Sequence, residues 1–506
     1  MAPSAVPVDV FPTAHDEAEV LRPLKRTKTE LTHSITESQL GEDGPDAIPP
    51  HPLGVKPLGN AYTTRRSLKA SAGSFKRLPD ELLVHFLEYL EAVDLLKLGG
   101  TCKALYAFTR FEDLWKTLFV ESPPQDFTWR GTWRSTYLCL PLDLESRISC
   151  VDLFSDVLHR PFYCAHVPLR SYATNIPPQN AIPRLPDLTV EEFSADWTNT
   201  PFILTSPVKS WPIYGTWTTT SLLQTYASTL FRAEAVDWPL ATYISYMRNN
   251  TDESPLYLFD RSFAAKMSLS IGPDAPDASY WPPSCFGADL FSVLGDQRPD
   301  SRWLIIGPAR SGSTFHKDPN ATSAWNAVLT GAKYWLMFPP SVDVPGVFVS
   351  ADGGEVTSPL SIAEYLLSFH ALARRTPGCR EGVCWAGEVL HVPSGWFHLV
   401  LNLEESIALT GNFVPRARVA DALGFLRDQG ANVSGFRDDV KDPYGLLVEK
   451  LGEKYPAVLD EGLRELEKKT KGKRGKWEEL VKGDEDGDAD DGGFSFGFGG
   501  DEEEVE

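Results

Sequence analysis

The residues best placed for chemistry are histidines spaced from carboxylates. A mononuclear iron that works with dioxygen is held by two histidines and one carboxylate on one face, with the other face open. His-x-Asp or His-x-Glu on one strand supplies two of these ligands, because residues i and i+2 point to the same side. Of the ten histidines, two have that spacing, in His15-x-Glu17 and His316-x-Asp318. The first lies in a Pro-, Ser- and Thr-rich stretch where nothing would hold the ligands still. The second lies in GPARSGSTFHKDPNATSAWNAVLTGAKYWLMFPP, read as a strand, a turn at Pro319-Asn320 and a returning strand from Ser323 to Leu329. The third ligand must come from elsewhere. His391 and His398 flank a Pro-Ser-Gly turn, and spacing alone does not choose between them; either also suits a core histidine. Lys333 heads the apolar run Tyr334 to Phe338. Read alone it marks a strand end. Beside a metal it is the charge for the distal carboxylate of a small diacid, since a buried ammonium with no anion is costly. Cys379 and Cys384 form a C-x4-C pair with no second pair nearby to complete a zinc site, and read as two loop thiols.

The elements that must position these groups are short β-branched and aromatic runs between Gly, Pro, Asn and Asp, over residues 206–415. That texture predicts an antiparallel sandwich or barrel. Within it, PLYLFDRSF, GPARSGSTFHKDP, TSAWNAVLTGAKYWLMFPP and GEVLHVPSGWFHLVLNLEESIALTGNF follow one another from about Pro255 to Pro415. In these four blocks the chain resembles a Jumonji-C (JmjC) domain, a double-stranded β-helix of the cupin type. Within that family it is most similar to the phosphatidylserine-receptor-type proteins, described as arginine demethylases and lysyl hydroxylases.

The resemblance implies Fe(II) held by His316, Asp318 and His398, the last fixed by the P-x-G-W-x-H block. It implies 2-oxoglutarate as cosubstrate, bound by Tyr257, Asn326, Lys333 and Thr410; Ser313 stands where the closest relatives have threonine, and Asn402 also matches, close to the metal. Lys317 replaces an apolar residue and is expected to point away from the iron. Such enzymes convert 2-oxoglutarate to succinate and CO2 while hydroxylating a C–H bond. On an aliphatic carbon an alcohol remains; on an N-methyl group the product loses formaldehyde, which amounts to demethylation. The expected substrate is a lysine or arginine side chain of a basic protein such as a histone, with Trp396 and Glu404 as candidates to line the entrance. A cupin using iron without 2-oxoglutarate would instead tolerate the loss of Lys333.

Upstream, FKRLPDELLVHFLEYLEAVDLLKLGGTCKALYAFTRFEDLWKTLF reads as three short helices. Pro79 suits a first turn, ahead of Leu82, Leu83, Phe86, Leu87 and Leu90 at helical spacing. Asp94 is the expected N-cap of the second helix, Gly99-Gly100 its end, and one third helix is expected through Leu105, Trp115 and Leu118. Fewer than fifty residues with so much apolar surface rarely close a core alone, so a partner or the rest of the chain should cover the remainder. The stretch resembles an F-box, from its Leu78-Pro79-Asp80-Glu81-Leu82-Leu83 start. That implies docking on a Skp1-type adaptor and thereby a cullin ubiquitin ligase. The order of F-box then JmjC is similar to proteins of fungal type. An alternative function follows, a ligase adaptor using its cupin as a binding module; an intact ligand set argues against it.

The fold class expected is therefore a mainly β catalytic domain behind an all-α F-box, with flanking helices and disordered ends. The divisions are 1–74 mobile, 75–120 F-box, 121–205 connecting, 206–415 JmjC/cupin, 416–481 helical and 482–506 an acidic tail. At 506 residues, 42% of them hydrophobic, the chain suits roughly three packed units. Lys plus Arg is 48 against Asp plus Glu at 69, which argues against gripping nucleic acid or an anionic membrane and favours basic protein partners. Eleven of those acids, and no base, fall in residues 484–506. No secretory signal or membrane-spanning run is read, and seven scattered cysteines fit a reducing compartment. The nucleus is the expected location, the cytoplasm the alternative, with RPLKRTK (Arg22 to Lys28) a weak import candidate.

Overall fold

The computed structural model describes residues 48–483 except 65, 142–146, 351, 352 and 359. His15, Glu17, the RPLKRTK cluster and the acidic tail lie outside the described residues.

The F-box-like stretch forms four helices. Helix α1 (Asp80–Leu87) starts directly after Pro79, with Asp80 and Glu81 in the first turn, where the helix dipole favours acids. Helix α2 (Ala92–Gly99) begins three residues earlier than expected; Glu91 precedes it, and Asp94 sits in the first turn rather than capping. The expected third helix is two, α3 (Lys103–Phe108) and α4 (Glu112–Glu121). At the break the Thr109 carbonyl accepts the indole N–H of Trp115 (2.8 Å). The Thr109 side chain also fills the space left by Gly99, where a Cβ would lie 2.4 Å from Thr109 Oγ1.

Two sequence boundaries move. The described part of 48–74, expected to be mobile with the rest of 1–74, is anchored to the fold: Val55 and Ala72 are buried. The backbone there is held by Lys56 N to Leu153 O (3.1 Å) and Leu68 N to Asp152 O (2.9 Å). A few apolar anchors suffice, and average composition hides them. The sheet begins before residue 206, because β1 (Arg184–Leu185) and β2 (Phe202–Leu204) already belong to it. The connecting region also supplies helices α5 (Trp133–Tyr137) and α6 (Asp156–His166).

The remaining strands of interest are β3 (Leu230–Ala233), β4 (Val236–Pro239), β5 (Leu258–Asp260), β6 (Arg302–Gly307), β7 (Gly312–His316), β8 (Ser323–Thr330) and β9 (Ala332–Phe338). Then come β10 (Arg380–Trp385), β11 (Val389–Val392), β12 (Phe397–Asn402) and β13 (Ser406–Phe413). A nine-stranded sheet runs β1-β2-β11-β8-β13-β6-β5-β3-β4, and a four-stranded sheet runs β10-β9-β12-β7. Helix α7 (Leu240–Arg248) follows β4, and α8 (Ile362–Ala373) lies between β9 and β10.

Strand period assigns side chains to faces. On β9, Ala332, Tyr334, Leu336 and Phe338 belong to one apolar cluster, while Trp335 and Met337 join Ala324, Val328, Leu390, Val392 and Val400 in another. That second cluster draws on both sheets and is the interior of the β-helix. Lys333, Asn326, Thr410, His398 and Asn402 share the interior parity of their strands. Helices α9 (Val419–Asp428), α10 (Pro443–Lys454) and α11 (Pro456–Gly483) form a separate core with Leu290, Phe291 and Leu294. No helix among the described residues is long and apolar enough to cross a membrane.

Candidate active site

His316 ends β7 and faces His398 across the antiparallel β7/β12 pair; their ring centroids are 4.1 Å apart. His316 Nδ1 lies 2.8 Å from the Thr314 carbonyl and His398 Nδ1 3.1 Å from the Trp396 carbonyl. A donating Nδ1–H fixes the neutral tautomer and leaves each Nε2 lone pair available to a metal. Burial, and then the charge of His316, push the His398 pKa well below its usual value, so the ring is neutral.

Asp318 follows β7. Its Oδ1 accepts from Asn412 Nδ2 (3.2 Å), which also donates to Thr322 Oγ1 (2.8 Å). Its Oδ2 is buried and lacks a hydrogen-bond partner. Desolvation raises its pKa, with His316 and Asn412 opposing. A buried carboxylate oxygen left over in this way suits a cation. As the side chains stand, no three His, Cys, Asp or Glu groups among the described residues converge as a metal demands. The donor types, the imidazole tautomers and the orphaned oxygen nevertheless fit a ferrous ion.

A second group lies on the neighbouring strands. Lys333 is 0% exposed and donates to Tyr257 Oη (2.5 Å) and Asn402 Oδ1 (3.0 Å). Asn402 Nδ2 in turn donates to Ser311 Oγ (2.8 Å). Both Lys333 partners are neutral, and burial pushes its pKa down to about 7. Gly307 makes room, since a Cβ there would meet Asn402 Nδ2 at 2.6 Å and Tyr257 Cδ2 at 2.8 Å. Asn326 and Thr410 are cross-strand partners on β8 and β13; Thr410 Oγ1 donates to the Trp325 carbonyl (2.8 Å), and Asn326 Oδ1 is buried without a partner. A cavity of about 590 Å³ opens beside these groups, lined among others by Tyr257, Ser313, Thr314, His316 and Arg310. Lys333, Asn326, His398, Asn402 and Thr410 are not among its lining residues.

The structure places the remaining residues that the sequence singled out. His391 lies on β11, fully buried among Phe193, Phe202, Phe286 and Phe413, with Nδ1 3.2 Å from the Thr200 carbonyl. It shares the parity of Val389, on the outer face, and is a core histidine. Cys379 and Cys384 are buried free thiols, Cys384 on β10 rather than in a loop. Lys317 reaches the Gly353 carbonyl (2.6 Å). Trp396 is buried in the interior cluster, and Glu404 pairs with Arg170 (3.1 Å); neither lines the cavity. Asn412 is the residue that sequence reasoning missed. Its signal was present, because it stands two residues beyond Thr410 on one strand and so shares its face.

Comparison with known proteins gives the same outline. A cupin-like domain matches residues 191–418, and an F-box-like domain matches residues 75–121. The chain is 38% identical over 443 residues to the arginine-specific demethylase JMJ22 of Arabidopsis thaliana, covering 84% of this chain and 85% of that protein. It is 35% identical over 264 residues to the bifunctional arginine demethylase and lysyl-hydroxylase psr-1 of Caenorhabditis elegans, covering 48% of this chain and 64% of that one. The human 2-oxoglutarate and iron-dependent oxygenase JMJD4 is 33% identical over 169 residues, or 32% of this chain and 39% of its own length. The chain belongs to the cupin-like JmjC family of iron- and 2-oxoglutarate-dependent oxygenases, with an F-box-like unit ahead of its catalytic fold.

Proposed function

We propose that the protein hydroxylates or N-demethylates lysine or arginine side chains of basic proteins, with His316, Asp318 and His398 holding Fe(II) and Lys333 binding the far carboxylate of 2-oxoglutarate. The observation that carries this reading is Lys333, an ammonium fully withdrawn from water whose hydrogen-bond partners are neutral. Burying a cation this way is costly unless an anion completes it. A small dicarboxylate within reach of the His316–His398 pair supplies that anion. Tyr257 and Asn402 hold the ammonium in place, Asn412 orients Asp318, and the Nδ1 contacts aim the two imidazoles.

When bound, iron and 2-oxoglutarate supply the oxidising power that turns a C–H bond into C–OH. The protein's share is geometry, exclusion of water and choice of the carbon presented. Succinate release from 2-oxoglutarate with Fe(II) should be measurable in the wild type and fall to background in His316→Ala. Retained turnover in Lys333→Ala would point instead to a cupin working without 2-oxoglutarate. Proteins trapped by an inactive variant and then treated with the wild type should show gain of one oxygen or loss of one methylene by mass spectrometry, which separates the two reactions.

The F-box-like unit supports a second role. Leu82 (55% exposed) and Phe86 (42%) on α1 and Tyr89 (76%) in the turn after it stand at i, i+4 and i+7, an apolar stripe that the described residues leave exposed. We infer a Skp1-type adaptor there; co-purification lost in Leu82→Asp/Phe86→Asp, with succinate release intact, is the expected result. Cullin capture without any turnover by the wild type would favour the adaptor function alone.

A further inference from the structure

The rim of the cavity is uneven in charge. Arg232 is neutralised by Asp237 across the β3/β4 hairpin (2.8 Å). Arg310 donates to the carbonyls of Val167 (2.5 Å) and Cys164, and Glu253 lies within its field. Glu234, in the turn between β3 and β4, lines the same cavity, and its Oε1 accepts the backbone N–H of Tyr257 (3.0 Å). Among the described residues no salt bridge to Glu234 is formed. Surrounding protein raises its pKa, and the cation opposing that shift is Lys116 on α4, the last F-box-like helix, with Asp252 also in range. Next along the wall is Phe259, 39% exposed and stacked on Trp303 with ring centroids 5.3 Å apart. A carboxylate beside an open aromatic face is the arrangement that selects guanidinium or alkylammonium groups.

We propose that Glu234 is the specificity-determining residue that draws a cationic side chain to the cavity, with Phe259 as the ring it lies against and Lys116 as the internal cation it competes with. The inference rests on the oxygenase reading for the identity of the cavity. It also couples the F-box-like helix electrostatically to the entrance, independent of any adaptor.

The test uses the full chain loaded with Fe(II) and the unreactive analogue N-oxalylglycine. Two fluorescent Gly/Ser-flanked peptides are titrated, one carrying monomethylarginine and the other citrulline, its neutral near-isostere. The wild type should prefer the methylarginine peptide by about tenfold or more, the value of one charge-assisted hydrogen bond. Glu234→Gln should bring the ratio close to one, Glu234→Asp should keep a preference, and Lys116→Gln should widen it. Equal affinities in the wild type, or a Glu234→Gln variant that keeps the preference, overturn the proposal. An unwidened ratio in Lys116→Gln removes Lys116 from it. Calorimetric titration of 2-oxoglutarate into the wild type is read separately: absence of binding sinks the oxygenase reading, while the peptide ratio still decides the role of Glu234.

Discussion

Lys333 has consequences that can be worked out with signs. Its pKa in the folded chain is about 7, against 10.5 when unperturbed. Between those values the unfolded chain binds the extra proton more tightly, so this residue's contribution to ligand-free stability rises as pH rises from about 7 toward 10.5. A dianionic ligand needs the ammonium form. Affinity for N-oxalylglycine should therefore be nearly flat below pH 7 and fall by up to tenfold per unit above it, with proton uptake on binding near ~pH 8. Calorimetry in buffers of different ionisation enthalpy measures that uptake, and its absence would mean the lysine is already charged. Lys333→Met should weaken the analogue by about 2–5 kcal/mol, since it removes one partner of a buried charge pair. The same variant should melt at or above the wild-type temperature without ligand, because a costly buried ammonium is gone. Asn412 acts at one remove. Asn412→Ala frees Asp318 to turn and should lower metal affinity about 10–100-fold while leaving the melting curve of the metal-free protein nearly unchanged.

At the level of elements, alternation along strands was the most legible feature of the sequence. His316, Asp318 and Lys333 could be picked out by spacing and context. The choice between His391 and His398 could not, because it depends on which face of each strand looks inward, and the turn at Pro393-Ser394-Gly395 separates their two strands. The structure sets His398 beside Val400 inside the β-helix and His391 beside Val389 outside. The break between α3 and α4 was equally hidden, since it follows from Trp115 reaching back to the Thr109 carbonyl, a tertiary demand that helical periodicity does not carry. Gly312 shows how closely β7 and β12 must approach: a Cβ there would lie 1.9 Å from the Val400 carbonyl oxygen of β12. Gly312→Ala must push β7 away from β12 and should cost about 1–3 kcal/mol in denaturant unfolding, with a larger relative loss in metal affinity because His316 and His398 sit on that pair of strands.

The whole molecule is less modular than its two domain matches suggest. Composition and motif place an F-box before a cupin with an unreadable connector of 85 residues, 121–205, between them. In the structure that connector is the seam. Trp133 packs with Phe119 of α4, and both Trp129 and Trp133 pack with Trp238 and Tyr246 of the catalytic fold, ring centroids lying 4.8–6.3 Å apart. Trp133 Nε1 donates to Asp252 Oδ2 (2.9 Å), which also accepts from the Tyr246 hydroxyl (2.7 Å). One apolar cluster runs from Leu83 and Leu87 through these rings to Phe231 and Leu409 of the nine-stranded sheet. The apolar surface expected to need a partner is thus divided, its inner face covered by the chain itself and its outer stripe at Leu82, Phe86 and Tyr89 left exposed by the described residues. A shared core of this kind makes separate unfolding of the two parts expensive, since either one alone would expose the indole cluster. Denaturant unfolding followed by far-UV circular dichroism and by tryptophan fluorescence should give coincident transitions. Trp133→Ala should shift both together by about 3–5 kcal/mol, while a fragment starting after residue 121 should be insoluble or lack a cooperative transition. Two resolved transitions in the wild type, or a stable catalytic fragment without the F-box-like helices, would show instead that the helices are an attached module and that any effect of Lys116 on the entrance can be switched off by undocking.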